Sequence, residues 1–149
     1  MFKVPAESLE EYLAFDPKRT GDLQSLDALI RKAAPGLKRY FHAGTRAGEI
    51  GMRFKMIGYG QTRYRVKSGE STVWPVIGVA LQKNYVSVYF AVDKGNAPIV
   101  DFYKGRLGEL RSGQNNFSFV RFGDLNGDAL TSLLAEAADI FGAPPAGPA

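Results

Sequence analysis

Cysteine is absent from the chain. That excludes disulfides, thiolate nucleophiles and every Cys-based zinc or iron–sulfur site. Histidine occurs once, at His42, which is too little for a metal centre without Cys, and no nucleophile elbow supports a Ser-His-Asp triad. Neither G-x-x-x-x-G-K-[ST] nor G-x-G-x-x-G is present, so no phosphate-cradling loop and no cofactor is implied. No apolar run approaches the roughly 20 residues of a membrane span. The opening Met1-Phe2-Lys3-Val4-Pro5-Ala6-Glu7 turns acidic without an apolar h-region, so the expectation is a chain without a secretory leader, at home in the cytoplasm.

What is there is an ordinary folding composition, with 45% hydrophobic, 12% aromatic and 23% charged residues. A domain of 149 residues hides roughly 68–70% of the surface of its unfolded chain, enough to need no metal or disulfide staple. One domain is expected over 1–142. The 143–149 tail, with Pro144, Pro145 and Pro148, can form neither helix nor ladder and is expected to be mobile.

Apolar spacing sets the elements. Leu9, Tyr12 and Leu13, with Ser8, Glu7, Glu10 and Glu11 near the start, predict a short helix that Pro17 interrupts. Asp22 is positioned to cap a second helix with the stripe Leu23, Leu26, Leu29, Ile30 and Ala33, ended by Pro35 and Gly36. The period then falls from 3.6 to 2. Ile50, Met52, Phe54 and Met56 predict one strand, and Thr62, Tyr64 and Val66 a second. Strands over 73–81 and 85–92 follow, joined by a hairpin at Gln82-Lys83-Asn84, and 37–41 predicts an edge strand. Ile99, Val100, Phe102, Tyr103, Leu107 and Leu110 suggest a helix that Gly105 and Gly108 weaken. A strand over 117–122 and a helix started by Asn126 or Asp128, with the stripe Leu130, Leu133, Leu134, Ala137 and Phe141, close the chain. The fold class is α+β: a central antiparallel sheet of about five to six strands flanked by N-terminal and C-terminal helices.

Net charge is +4, but residues 31–67 hold ten Lys/Arg against the single acid Glu49. If the chain turns at Gly58-Tyr59-Gly60, pairing Phe54 with Tyr64 sets Lys55 opposite Arg63 and Arg53 opposite Arg65. Four cations then share one face of one hairpin, although like charges across a sheet cost a few tenths to about 1 kcal/mol per pair. Either they splay into water over their aliphatic stems, or they form an anion site with Tyr59 and Trp74 nearby. The carboxylates Glu7, Glu10, Glu11, Asp22 and Asp27 read as solvated faces and caps.

The run Met56-Ile57-Gly58-Tyr59-Gly60, with Tyr64, Ser68-Gly69, Trp74-Pro75 and Lys83-Asn84-Tyr85-Val86-Ser87-Val88-Tyr89-Phe90, resembles the YdhG-like family of bacterial proteins of unknown function. The frame is similar too, through the helix over 26–35, Tyr103-Lys104-Gly105-Arg106-Leu107-Gly108, Val120-Arg121-Phe122 and the helix over 130–137. The resemblance implies a small sandwich grouped with frataxin-like proteins, some of whose relatives have been proposed as iron chaperones. This chain departs from that role: it has no dense acidic ridge on its first helix and no His near Arg63. The family supplies no catalytic residues to carry over.

The sequence thus reads as a non-enzymatic binding or interaction domain. Arg53, Lys55, Arg63 and Arg65, with Tyr59 and Trp74, would hold an anionic small molecule or an acidic protein partner. Two alternatives stay open: a frataxin-like iron carrier using Glu7, Glu10 and Glu11, and weak nucleic-acid binding through the same hairpin, which the modest total charge disfavours.

Overall fold

The apolar stripes become three α-helices and eight strands among the residues that the computed structural model describes, namely 2–46, 49, 51–65 and 69–142, with 64 and 65 as backbone alone. Ile50, Val66, Lys67, Ser68 and the 143–149 tail, which entered the expectations above, lie outside them. Helix α1 spans Leu9–Ala14, and Ser8 caps it by accepting the Glu11 N–H at 3.2 Å. Helix α2 spans Thr20–Ala33 and buries Leu23, Leu26 and Ile30. Helix α3 spans Gly127–Gly142; the Asn126 side chain accepts the Ala129 N–H, and Leu130, Leu133, Leu134 and Ala137 form its buried stripe.

The strands are β1 (Arg39–His42), β2 (Met56–Arg65), β3 (Ser71–Leu81), β4 (Val86–Phe90), β5 (Asp93–Lys94), β6 (Ala97–Pro98), β7 (Arg111–Ser112) and β8 (Asn116–Phe119). Six form one antiparallel sheet in the order β1-β2-β3-β4-β8-β7, while β5 and β6 pair as a small ribbon. The expected antiparallel sheet with flanking helices is what the chain forms. Ile57, Tyr59, Ile77, Val79, Val88 and Phe117 share one core cluster with the stripes of α2 and α3. Side chains alternate along a strand, so the residues between them belong to the opposite, helix-free face. On that face a single row runs across five strands through the paired positions Tyr40, Gly58, Gly78, Tyr89 and Asn116.

The largest departure from expectation is the supposed hairpin at Gly58-Tyr59-Gly60. One ten-residue strand, β2, passes straight through those residues. Its glycines serve close approach rather than a turn: a Cβ on Gly58 would sit 2.4 Å from a Tyr40 ring carbon. Gly60 holds φ +71, a region that L side chains rarely adopt, and donates its N–H to the Lys38 carbonyl at 2.9 Å. The partner of β2 is therefore β3. Arg63 lies opposite Val73, Tyr64 opposite Thr72 and Arg65 opposite Ser71, and the Phe54–Tyr64 pairing is not made.

Smaller departures have equally local causes. In place of a helix beginning at Ile99 there is one 3-10 turn, Ile99–Phe102, because Gly105 and Gly108 take φ of +78 and +76. A Cβ on Gly108 would meet the Asp124 carbonyl at 2.3 Å. Strand β8 stops at Phe119, and β7 was not foreseen. Helix α2 starts before Asp22, whose carboxylate instead accepts the Phe122 N–H at 3.1 Å. Asp27 is no solvated carboxylate: it is 4% exposed, between the Tyr59 hydroxyl at 2.6 Å and the guanidiniums of Arg39 and Arg31 at 2.8 and 3.2 Å.

Candidate functional site

The cations expected on one hairpin are distributed differently. Arg53 and Lys55 lie before β2, in the segment that leads into it. Lys55 Nζ donates to the Ala6 carbonyl at 2.5 Å and stands 3.5 Å from Glu7, which ties the chain N-terminal to α1 against the start of β2. Arg53 is exposed. Arg63 donates to Ser71 Oγ at 3.2 Å across the β2–β3 ladder, and Arg65 ends β2. Strand pairing therefore does not bring Arg53 and Lys55 opposite Arg63 and Arg65. Tyr59 is fully buried on the helix side, where burial first and the Asp27 carboxylate second push its pKa well above the usual tyrosine value. It locks α2 to the sheet and faces no solvent. Of the six sequence-chosen residues, Trp74 is the one among the described lining residues of the principal cavity.

That cavity is a cleft of about 500 Å³ on the helix-free side of the sheet, within the size range of small-molecule sites. Its floor is made by Gly78, Met56 and Tyr89. Gly78 makes room for the Met56 side chain, whose sulfur lies only 2.6 Å from where a Cβ would stand there. Met52, Trp74, Asp93 and Asn116 line it as well. Apart from Met1 the chain has two methionines, and it has one tryptophan; all three line this cleft. Neither Lys nor Arg is among its described lining residues, in a chain of net charge +4.

Each wall is held by hydrogen bonds that its sequence makes possible. The Met52 carbonyl accepts both the Thr45 N–H at 3.0 Å and His42 Nε2–H at 3.1 Å, which fixes the tautomer of the single histidine. Burial lowers the His42 pKa, so the ring stays a neutral donor. Phe54, two residues on, sets its ring 5.4 Å from that of Tyr89. The end of the segment is pinned where the Tyr12 hydroxyl donates to the Lys55 carbonyl at 3.0 Å while accepting the Leu81 N–H at 2.8 Å.

The opposite wall is anchored to the helix layer. Asn115, at φ 114, accepts the Val100 N–H and donates to the Val92 carbonyl, which sets the neighbouring Asn116 at the rim. Period two in β5 sends adjacent residues to different sides. Asp93 lines the cleft, while Lys94 reaches Glu136 of α3 at 2.8 Å. Glu136 also accepts the Tyr103 hydroxyl at 2.8 Å, and its pKa is lowered chiefly by the bond from Lys94.

Chemically the cleft offers thioethers, aromatic faces, amides and one carboxylate. Its geometry suits retention of a small, partly apolar molecule, and its described lining residues include no paired acid and base. Among the described residues there is no group of three His, Asp or Glu placed to hold a metal ion, and no helix long and apolar enough to cross a membrane. Sequence reasoning passed over Met52, Met56, Gly78, Tyr89, Asp93 and Asn116. The available signal was Gly78 amid a strand pattern, since an interior strand glycine marks a bulge or a close approach. Comparison with protein families, with curated proteins and with solved structures finds no match for this chain. The YdhG-like resemblance rests on the quoted motifs alone.

Proposed function

We propose that this chain is a small-molecule-binding domain whose ligand occupies the cleft between the 51–55 segment and the β5–β6 ribbon. The observation that carries this reading is the concentration of Met52, Met56 and Trp74 around a floor where Gly78 makes room for the Met56 thioether. Thioethers and aromatics adapt to varied apolar shapes, and a few polar groups at the rim orient what they hold. The binding role read from the sequence is kept, and its location moves from the supposed basic hairpin to the helix-free face.

Trp74 provides the assay, because a single tryptophan reports binding at its own position. Aromatic, aliphatic, phosphate and carboxylate compounds are titrated against tryptophan fluorescence, and thermal melts are run in parallel. A ligand at a hundred times its Kd adds about 2.7 kcal/mol of stability. Gly78→Val, which displaces the Met56 side chain and so reshapes the floor, should abolish both responses while its circular dichroism spectrum stays that of the wild type. No response from any class, or equal responses from wild type and Gly78→Val, refutes the cleft. A phosphate response lost in Arg63→Gln and kept in Gly78→Val returns the site to the cations of β2.

A further inference from the structure

We infer that the ligand of this cleft is a cation, an aromatic or alkyl amine whose ammonium pairs with Asp93 while its apolar body lies on Trp74, Met56 and Tyr89. The inference rests on the cleft reading and adds the sign of the charge. Asp93 is the one carboxylate among the described lining residues, and none of those is Lys or Arg. Its carboxylate takes part in none of the hydrogen bonds or ion pairs among the described residues. The cation adjacent in sequence, Lys94, is turned away by the strand alternation and held between Glu136 and the Phe102 ring, 5.0 Å from its centroid. Asp93 is thus left unneutralised at the mouth of the cleft.

The remaining walls favour the same charge. Aromatic faces attract cations through the negative face of the ring, and Trp74 and Tyr89 both line the space. Burial raises the Tyr89 pKa, so its phenol adds no competing charge near neutral pH. An anion would meet the Asp93 carboxylate and no cation among the described lining residues. A neutral molecule would gain the apolar contacts and leave Asp93 unpaired.

The test uses three probes of one shape: 2-phenylethylamine, 2-phenylethanol and phenylacetate, titrated against Trp74 fluorescence in the intact chain at neutral pH. The amine should bind about three- to tenfold more tightly than the alcohol, as an exposed ion pair with cation–π support predicts, and phenylacetate most weakly. Added salt should narrow the amine–alcohol gap. Asp93→Asn should erase that gap and leave the affinity for the alcohol unchanged. Alcohol and amine binding equally, or phenylacetate binding best, overturns the charge assignment and leaves the cleft standing. No quenching by any of the three overturns the amine assignment, and the wider compound panel then decides the cleft.

Discussion

Replacing Tyr59 by Phe removes one hydroxyl and nothing else from the interior, and it tests whether the Tyr59–Asp27 contact holds α2 on the sheet. The hydroxyl donates to Asp27 Oδ1 at 2.6 Å, while Oδ2 keeps Arg39 at 2.8 Å and Arg31 at 3.2 Å. A hydrogen bond to a charged group contributes about 1.5–3 kcal/mol, and the carboxylate left behind is 4% exposed, so water replaces the lost donor poorly. The expected loss is about 2 kcal/mol. For a chain of this length that is about 4–8 °C in Tm, or on the order of 1 M in the urea midpoint with m unchanged. Asp27→Ala should cost more, about 3–5 kcal/mol, because it strands the buried Tyr59 hydroxyl and the Arg39 charge together. Urea titrations of wild type and both variants decide the matter. A loss below about 0.5 kcal/mol in Tyr59→Phe, or an Asp27→Ala no worse than Tyr59→Phe, would refute the reasoning. A changed ligand response in Tyr59→Phe would instead restore Tyr59 to a binding role.

Alkaline stability should fall from about pH 10, where tyrosines of the unfolded chain begin to ionise. Burial pushes Tyr12 up to about 12 and raises Tyr59 as well, so the native state keeps protons that the unfolded state gives up. The stability these groups contribute is whole below pH 10 and is lost as pH rises through their native values. Urea midpoints measured from pH 8 to 11.5 should be level and then drop, and Tyr12→Phe should show a shallower drop. Gly60→Ala and Gly95→Ala separate backbone strain from contact. Both positions have positive φ, but a Cβ meets Leu37 at 2.9 Å in the first and nothing within 4 Å in the second. Gly95→Ala should cost about 1 kcal/mol and Gly60→Ala about 2–3; equal melting shifts would mean that the Leu37 contact adds nothing.

The elements legible in the sequence are those in which one local rule acts alone. The α2 and α3 stripes, the Asn126 cap and the tight connection at 82–85 follow from period, capping and turn chemistry, with Gln82 N–H closing on the Tyr85 carbonyl at 2.9 Å. The hairpin at Gly58-Tyr59-Gly60 failed because two rules read the same residues differently. Glycines flanking an aromatic between alternating stretches meet the local description of a turn. They equally meet that of a strand whose partner side chain lies across it, and the choice between the two is made by Tyr40, eighteen positions earlier, and by Asp27 on another element.

Once β2 is continuous, Arg53 and Lys55 fall before the strand, and the register that would set them opposite Arg63 and Arg65 goes with the turn. The cleft was invisible for a related reason. Its floor residues, Met56, Gly78 and Tyr89, come from three neighbouring strands, and its rim residue Asp93 is placed by whether Lys94 finds Glu136 on α3. None of those relations is a spacing along the chain. Period two alone says that Asp93 and Lys94 point apart. Only the position of α3 decides that the cation goes to the helices and the carboxylate to the cleft, and that decision gives the proposed site its sign.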